Sequence, residues 1–512
     1  MARPHLGARR TRLRRRPGPG GRDAGRRQGP HRQQPPPVDP ARLKRAGPDR
    51  TERSERGISG CTAAALRPDS PVMMTLDMID RLKQTVDERW ESPVADLVAA
   101  AWGHPAGTAK WWRSSATHVF VLPDQEGKRY LRFAPDDRAD AFAAVAALAA
   151  RLADTGARVA RPVPTTAGTL VATVATPLGF MQAMMVEAAP GEAFDAEELD
   201  EPGARAWGRA LAEFHLAAAD AKEPLPGPFA TPPTFPDDPE LAACAAALTA
   251  AARKLSREPA RFGVVHGDFE LDNLAWQDGT ATAFDLDEAH RSWYAADIAF
   301  AVRDLCDHSG RPAPEHAERF AAFIDGYREA RPLTADEIDM LPLFAGLHAL
   351  TALGDIAAAL GEPDAAEAAW KADLRAHLTA LAADHRTLAL DTARPHRTLE
   401  DLEGDDWGDS PAGATTLVSK VHALRRVPLG SLTVEHLRML IGQRVGLDHL
   451  LPIALKVLRA DPLAAGDMSP GALLRSALHA VSGDSEFALE LRALAAGVDD
   501  PEGLLRDELD GV

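Results

Sequence analysis

The sequence predicts an α+β chain with a small antiparallel-sheet lobe first, a mostly helical lobe after it, and a small all-α domain at the C-terminal end. Three observations carry this prediction. "THVFVLPDQEGKRYLRFAP" sets two β-rich runs around the turn "DQEG", a hairpin signal. "EAAPGEAF", Glu187 to Phe194, then breaks the strand pattern with Pro-Gly, and beyond it nearly everything to about Leu390 has helical spacing. After "TARPHR" the pattern restarts: Thr433 can cap a helix in which Val434, Leu437, Leu440 and Ile441 share one face, and "GLDHLLPIALKVL" follows the break at Gly446.

At 512 residues the chain exceeds one ordinary core. The expected divisions are a leader over 1–72, a sheet lobe over 73–187, a helical lobe over 188–394 and a helical domain over 396–512. Charge separates the leader from the rest. Residues 1–72 hold 18 Lys+Arg against 6 Asp+Glu, net +12, which leaves −29 for the other 440 residues of a chain whose net charge is −17. The leader, with "RRTRLRRRPGPGGRDAGRR", lacks the apolar periodicity needed to offset chain entropy and is expected to be disordered. A basic tail can bind nucleic acid or serve as a transit peptide, but Met73-Met74 stands just before the first amphipathic pattern, which favours an upstream translation artefact or an idle tail. The acidic body predicts no nucleic-acid footprint.

Residues are 45% hydrophobic but only 5% aromatic, with Ala dominant, a composition that favours closely packed helices. Cys61, Cys244 and Cys306 lie far apart and fit neither a disulfide framework nor a CxxC site, which points to a reducing compartment. No run of about 18 apolar residues is free of charge, so no membrane span is expected. The expectation is a cytoplasmic protein.

In chain order, "TLDMIDRLKQTVDERW" reads as a surface amphipathic helix, and the hairpin follows. Asp137 to Asp154 reads as an Ala-rich helix ended by Gly156, with further strands at Val159, Val163, Leu170 to Val174 and Met181 to Val186. Trp111 and Trp112 are read as core anchors, with a ligand-stacking pair as the alternative. The helical lobe is expected to contain two short strands, both within the stretch from Gly263 to Ala289.

That stretch, "GVVHGDFELDNLAWQDGTATAFDLDEA", threads polar groups between short apolar runs, which is expensive unless the groups are paired or used. The spacing is His266-x-Asp268-x4-Asn273, then Asp285-x-Asp287 after a turn. Phosphoryl transfer from ATP needs a carboxylate for the acceptor hydroxyl and oxygen ligands for Mg²⁺, and an Asp, an Asn and a second Asp supply those parts. Singly, Asp268 reads as a helix cap, Asn273 as a turn residue, His266 as a core histidine and Asp287 as a surface carboxylate. Together they read as a site. Asp297 in "YAADIAF" reads as a cap or an internal brace for the loop.

"HGDFELDNLAW…AFDLDEA…ADIAF" resembles the signature of the aminoglycoside phosphotransferase and choline kinase-like family, relatives of protein kinases with a bilobal fold. The likeness runs from about Met74 to Leu390, since "WWRSSATHVFVL", "RYLRFAP", "MVEAAPGEAF" and "GRALAEFH" stand in the expected order. It implies a kinase-like phosphotransferase using ATP and Mg²⁺ on a small-molecule hydroxyl. Asp268 would be the catalytic Asp, His266 the brace of its loop, and Asn273 and Asp285, with Asp287, the metal residues. "MMVEAAPG", with Val186 and Glu187, would be the hinge beside the adenine. Two positions depart from the pattern: Arg132 replaces the phosphate-pairing Lys, and Val145 stands where its Glu partner is expected. Thr117 also replaces an Asn of the loop over the nucleotide. These departures motivate an alternative, a pseudokinase scaffold whose role is to bind and neutralise a protein toxin.

Residues 396–512 hold 11 basic and 19 acidic residues, with acids bunched from Glu400 to Asp409 and no nucleophile–base pair or metal-ligand spacing. The bunch is either a solvated linker or a face for a basic partner. "LEGDDWG", "ALRRVPLGSLTVEHLRMLIGQRVGL" and "DPLAAGDMSPGALL", within about 398–480, resemble immunity proteins of contact-dependent growth inhibition (CDI) systems. That resemblance implies binding of a protein toxin. Glu403, Asp405 and Asp406 would then steer it and Trp407 would anchor it, unless Trp407 packs on its own domain.

Overall fold

The computed structural model describes residues 73–498, apart from 125–126, 194–198, 229–233, 362–367 and 482–484. The basic leader over 1–72 lies outside the described residues.

Helix α1 (Leu76–Lys83) is capped by Thr75, whose hydroxyl accepts the Met78 amide. It is shorter than the amphipathic run that reaches Trp90. The Asp87 carboxylate accepts the amides of Arg89 and Glu91 and folds that segment into a turn instead. Nor is α1 a free surface helix. Its Leu76 packs with Ile356 and Leu378, Asp77 pairs with Lys371, and Lys83 lies over the Trp370 ring at 3.7 Å.

The first lobe is a six-stranded antiparallel sheet in the order β1-β2-β3-β6-β4, with β5 pairing β6. Its strands are β1 (Lys110–Ser114), β2 (His118–Asp124), β3 (Gly127–Pro135), β4 (Pro162–Val163), β5 (Val171–Thr176) and β6 (Gly179–Glu187). Alternation along β2, β3 and β6 puts Phe120, Leu122, Leu131, Phe133, Ala183 and Met185 into one core with Val94 and Val98 of α2 (Pro93–Ala99). On the other side lies α3 (Ala139–Asp154), whose Val145 and Leu148 join the larger core, and Gly156 follows its end at φ +84°. Trp111 stacks on Trp90 at 5.6 Å and Trp112 meets the edge of Tyr130 at 6.5 Å. Both are half-buried.

His118 on β2 is buried between Phe133 and a hydrogen bond to Ser114, and burial pushes it down to about 4 from an ordinary 6.5. The unfolded chain takes up the proton first on acidification. The stabilising contribution is therefore complete above about pH 6.5 and is lost as pH falls toward about 4. The thermal midpoint should be lower at pH 5 than at pH 7.5, and His118→Gln should reduce that difference; an undiminished difference in the variant assigns the acid sensitivity to other groups.

Among its described residues the second lobe contains five strands rather than the two expected. β7 (Glu192–Ala193), β9 (Leu274–Gln277) and β10 (Thr280–Ala283) form one sheet, and β8 (Phe262–Val265) and β11 (His290–Trp293) form another. Strands of two and four residues are too short for alternation to register. The helices are α4 (Glu201–Ala218), α5 (Pro239–Ala252), α6 (Tyr294–Ala301), α7 (Ala317–Ala330), α8 (Ala335–Asp339), α9 (Leu341–Leu360) and α10 (Ala369–Ala393). Together α8 and α9 form a stretch long and apolar enough to cross a membrane, but Leu343, Phe344, Leu347 and Leu350 are buried in the lobe's core.

The described residues between Leu399 and Val498 pack around a core of their own, built on Leu437, Leu440, Ile441, Leu450, Leu458 and Leu473. Its helices are α11 (Leu399–Glu403), α12 (Thr416–Arg425), α13 (Val434–Gly442), α14 (Leu447–Ala460), α15 (Ala472–Ala480) and α16 (Glu486–Ala496). Thr433 caps α13 in a capping box with His436. The acids before α12 are not a free face. Glu403 pairs with the buried Arg425, while Glu400, Asp406 and Asp409 surround Arg426. Trp407 is 39% exposed, donates its indole N–H to Asp405, and lies under the Arg425 guanidinium at 4.0 Å and against His422. Trp407 thus packs on its own domain by one face, as the blander sequence reading had it, and keeps part of its surface open.

Candidate active site

Strand β8 delivers the chain to His266, and Gly267 then turns it at φ +85°, where a Cβ would lie 2.3 Å from the Glu288 carbonyl oxygen. Only glycine fits this turn. Asp297, fully buried in the first turn of α6, accepts the His266 amide on one oxygen (2.8 Å) and the Gly267 amide on the other (2.9 Å). His215 of α4 bonds the same carboxylate at 2.9 Å, and its other ring nitrogen meets the Tyr327 hydroxyl at 2.8 Å. Burial opposes the Asp297 charge, but the His215 hydrogen bond and the His266 amide outweigh it and hold the carboxyl below its usual range. Asp297 is therefore the internal brace that its sequence context suggested.

The His266 ring is wedged between Phe214 and Phe269. Its Nδ1 accepts the Asp268 amide (3.3 Å), so Nε2 carries the proton and donates to the Phe284 carbonyl (3.2 Å). His266 thus links the loop carrying Asp268 to the end of β10, where Asp285 begins. Its placement matches a brace rather than a reactant.

Asp268 keeps one carboxylate oxygen on the Asn273 amide group at 2.7 Å and has the other 4.0 Å from Arg303. Burial pushes Asp268 above the usual carboxylate range, against the pull of Arg303. Arg303 is itself held by Glu270 and lies 4.2 Å from the Phe300 ring. Asn273 is buried on a 3₁₀ turn, and its carbonyl accepts the Phe284 amide at 3.0 Å. With its amide nitrogen committed to Asp268, Asn273 has a side-chain oxygen to offer a cation.

Asp285 adopts φ +64°, ψ +61°, a left-handed conformation rare for a non-glycine residue. Such strain persists only where surrounding contacts fix it. Here both oxygens are taken: Arg132 lies 2.5 Å from one and Arg113 2.8 Å from the other. Arg132 also bonds Asp287 at 2.6 Å and is 3.4 Å from the Thr117 hydroxyl. Burial opposes the Asp285 charge, but Arg132 and Arg113 together hold its carboxyl low. Burial prevails at Asp287, which is pushed up to about 6, and it also pushes Glu288 well above its usual range beside Asp268 and Asp355.

The structure thus gathers His266, Asp268, Asn273, Asp285, Asp287 and Arg132. Val186 and Glu187 end β6 opposite Tyr130 and Arg129, where the strand leads to the second lobe, and make no side-chain hydrogen bond to any of these groups. Val145 is buried among apolar residues, so α3 supplies no carboxylate to Arg132, and Asp285 and Asp287 neutralise it instead. Arg113, Arg303, Glu270 and His215 join the site without having been singled out in the sequence. Their only sequence signal was position: Arg113 beside the Trp pair, Glu270 inside the "HGDFELDN" run, Arg303 just after "ADIAFAV" and His215 at the end of "GRALAEFH".

Residues 112–333 match the phosphotransferase enzyme family, and residues 401–487 match the CDI immunity proteins. An uncharacterised protein of Deinococcus radiodurans is 30% identical over 230 residues, covering 41% of this chain and 65% of that protein. An amicoumacin kinase of Bacillus subtilis is 27% identical over 106 residues, covering 20% of this chain and 32% of its own length. The chain therefore spans less than two thirds of either curated relative. Among solved structures, an amicoumacin kinase in complex with AMP-PNP, Ca²⁺ and Ami is 18% identical, with a TM-score of 0.47 over 61% of this chain and 97% of that one. A microcompartment-associated aminopropanol kinase is 22% identical, with a TM-score of 0.45 over 59% of this chain and 98% of that one.

Proposed function

We propose, for a chain that carries a phosphotransferase-family domain and a CDI immunity-protein domain, that the first phosphorylates a small-molecule hydroxyl at the expense of ATP in the cytoplasm and that the second binds a protein toxin. The observation that carries the enzymatic reading is Asp268: a carboxylate with raised proton affinity, oriented by Asn273 and lying beside a second, separately held carboxylate, Asp285. An acceptor O–H placed against Asp268 would give up its proton there as the new O–P bond forms and the bond to the ADP oxygen breaks. Asp297 and His266 fix the backbone that aims Asp268, so orientation rather than covalent chemistry is what these residues contribute.

Asp285 and the Asn273 amide oxygen are hard oxygen donors, a set suited to Mg²⁺, which keeps waters and phosphate oxygens in its remaining positions. Bound there, the ion would neutralise charge developing between the transferred and leaving phosphates. Burial and the neighbouring Asp268 and Asp355 disfavour the charged form of Glu288, and an acceptor bearing an amino group, such as an amino alcohol or an aminoglycoside, would relieve that crowding of carboxyl groups. The test is a panel of amino-bearing and neutral hydroxyl compounds with radiolabelled ATP and Mg²⁺. Transfer to amino-bearing acceptors is expected. ATP-dependent stabilisation without transfer to any acceptor would favour the scaffold reading, in which the nucleotide fold serves only toxin binding.

A further inference from the structure

Arg132 has lost the helix carboxylate that its position leads one to expect, and Arg113 has gained a contact that nothing in its sequence context announces. β1 is an edge strand, and its pairing with β2 slips between Trp111 and Arg113. Such a bulge re-aims side chains. It brings Arg113, from 172 positions away in the chain, to the free oxygen of Asp285. The two arginines differ in freedom: the Arg132 side chain is 8% exposed and that of Arg113 is 46% exposed.

We propose that Arg113 and Arg132 form a two-guanidinium clamp for the terminal phosphates of a nucleotide, with Asp287 anchoring Arg132 in place of a helix carboxylate rather than ligating metal. The inference rests on the nucleotide-dependent reading above. A cation bound to Asp285 would face a guanidinium group on each of its oxygens, at 2.5 and 2.8 Å, and that like-charge repulsion favours release of one arginine. Arg113 is the exposed one, and Arg132 keeps Asp287 at 2.6 Å when Asp285 is released. Phosphate oxygens then replace the carboxylate around the guanidinium groups as the cation replaces the guanidinium around Asp285, and no buried charge is left unpaired. Nucleotide and metal should accordingly bind with mutual assistance, each releasing the partner that the other needs.

The test measures binding of adenosine, ADP and ATP by competition calorimetry in EDTA, and binding of Mn²⁺ alone by electron paramagnetic resonance, on the full chain. Arg113→Ala should weaken ADP and ATP by about tenfold or more, leave adenosine unchanged and bind Mn²⁺ more tightly than the wild type does. Asp287→Asn should weaken ADP and ATP with no loss of Mn²⁺ affinity. Arg113 is half-exposed, so its variant reads the clamp without a folding defect. Equal ADP affinity in wild type and Arg113→Ala makes the Asp285 contact a surface ion pair only and overturns the clamp. A drop in Mn²⁺ affinity with Asp287→Asn overturns the anchoring role. A wild-type protein that binds no nucleotide at all overturns the parent reading along with the clamp.

Discussion

Asp268→Asn should lower phosphoryl transfer by on the order of 10²–10⁴-fold, the usual contribution of a positioned general base, while leaving the protein folded. An asparagine oxygen can still accept the Asn273 amide, so the loop geometry survives the change. Stability should hold or rise. Asp268 has its proton affinity raised chiefly by burial, which means that its charged form opposes folding at neutral pH, and the substitution removes that opposition. The pairing of lost turnover with an undiminished thermal midpoint separates a reacting group from a structural one. Asp297→Asn provides the contrast, because Asp297 accepts two backbone amides and a histidine in full burial, and its loss should reduce stability as well as turnover. Turnover of the Asp268→Asn protein within tenfold of wild type would remove Asp268 from the reaction.

How much of this was legible depends on whether the signal was local. The hairpin of β2 and β3, the end of α3 at Gly156 and the capping box at Thr433 are written in adjacent residues, and the structure has them where the sequence reading places them. The run from His266 to Asp287 was legible for the same reason: its polar groups interrupt apolar stretches within one segment. The ion pairs were not. Val145 announces that a carboxylate is missing from α3, but nothing local says that Asp287, 155 positions from Arg132, supplies it. Arg113 is hidden in the same way, because only the bulge in β1 and the left-handed turn at Asp285 bring the two together. At the C-terminal domain the bunched acids read as one charged face, yet arginines from the end of α12 divide most of them into internal pairs.

Those pairs make Arg425 the residue on which the toxin-binding proposal can be tested most sharply. Its side chain is 1% exposed, it pairs with Glu403, donates to the Asp405 carbonyl at 2.7 Å and covers the Trp407 ring. Removing one partner of a buried ion pair costs on the order of 3–5 kcal/mol, and since Glu403 is 27% exposed the lower end applies. Arg425→Ala should therefore lower the unfolding midpoint of the C-terminal domain by many degrees, free Trp407 and shift its fluorescence to the red. The two lobes before it have cores separate from that of the C-terminal domain and should keep their own transition. Trp407→Ala is the milder companion: it leaves the Arg425–Glu403 pair in place and removes only a half-exposed ring with its open apolar surface. If the ring anchors a toxin, Trp407→Ala should abolish protection of cells carrying the cognate toxin at a stability close to wild type. Full protection by Trp407→Ala together with loss of protection by Arg425→Ala would mean that the 400–409 segment matters as part of the domain's architecture and that the contact face lies elsewhere on it.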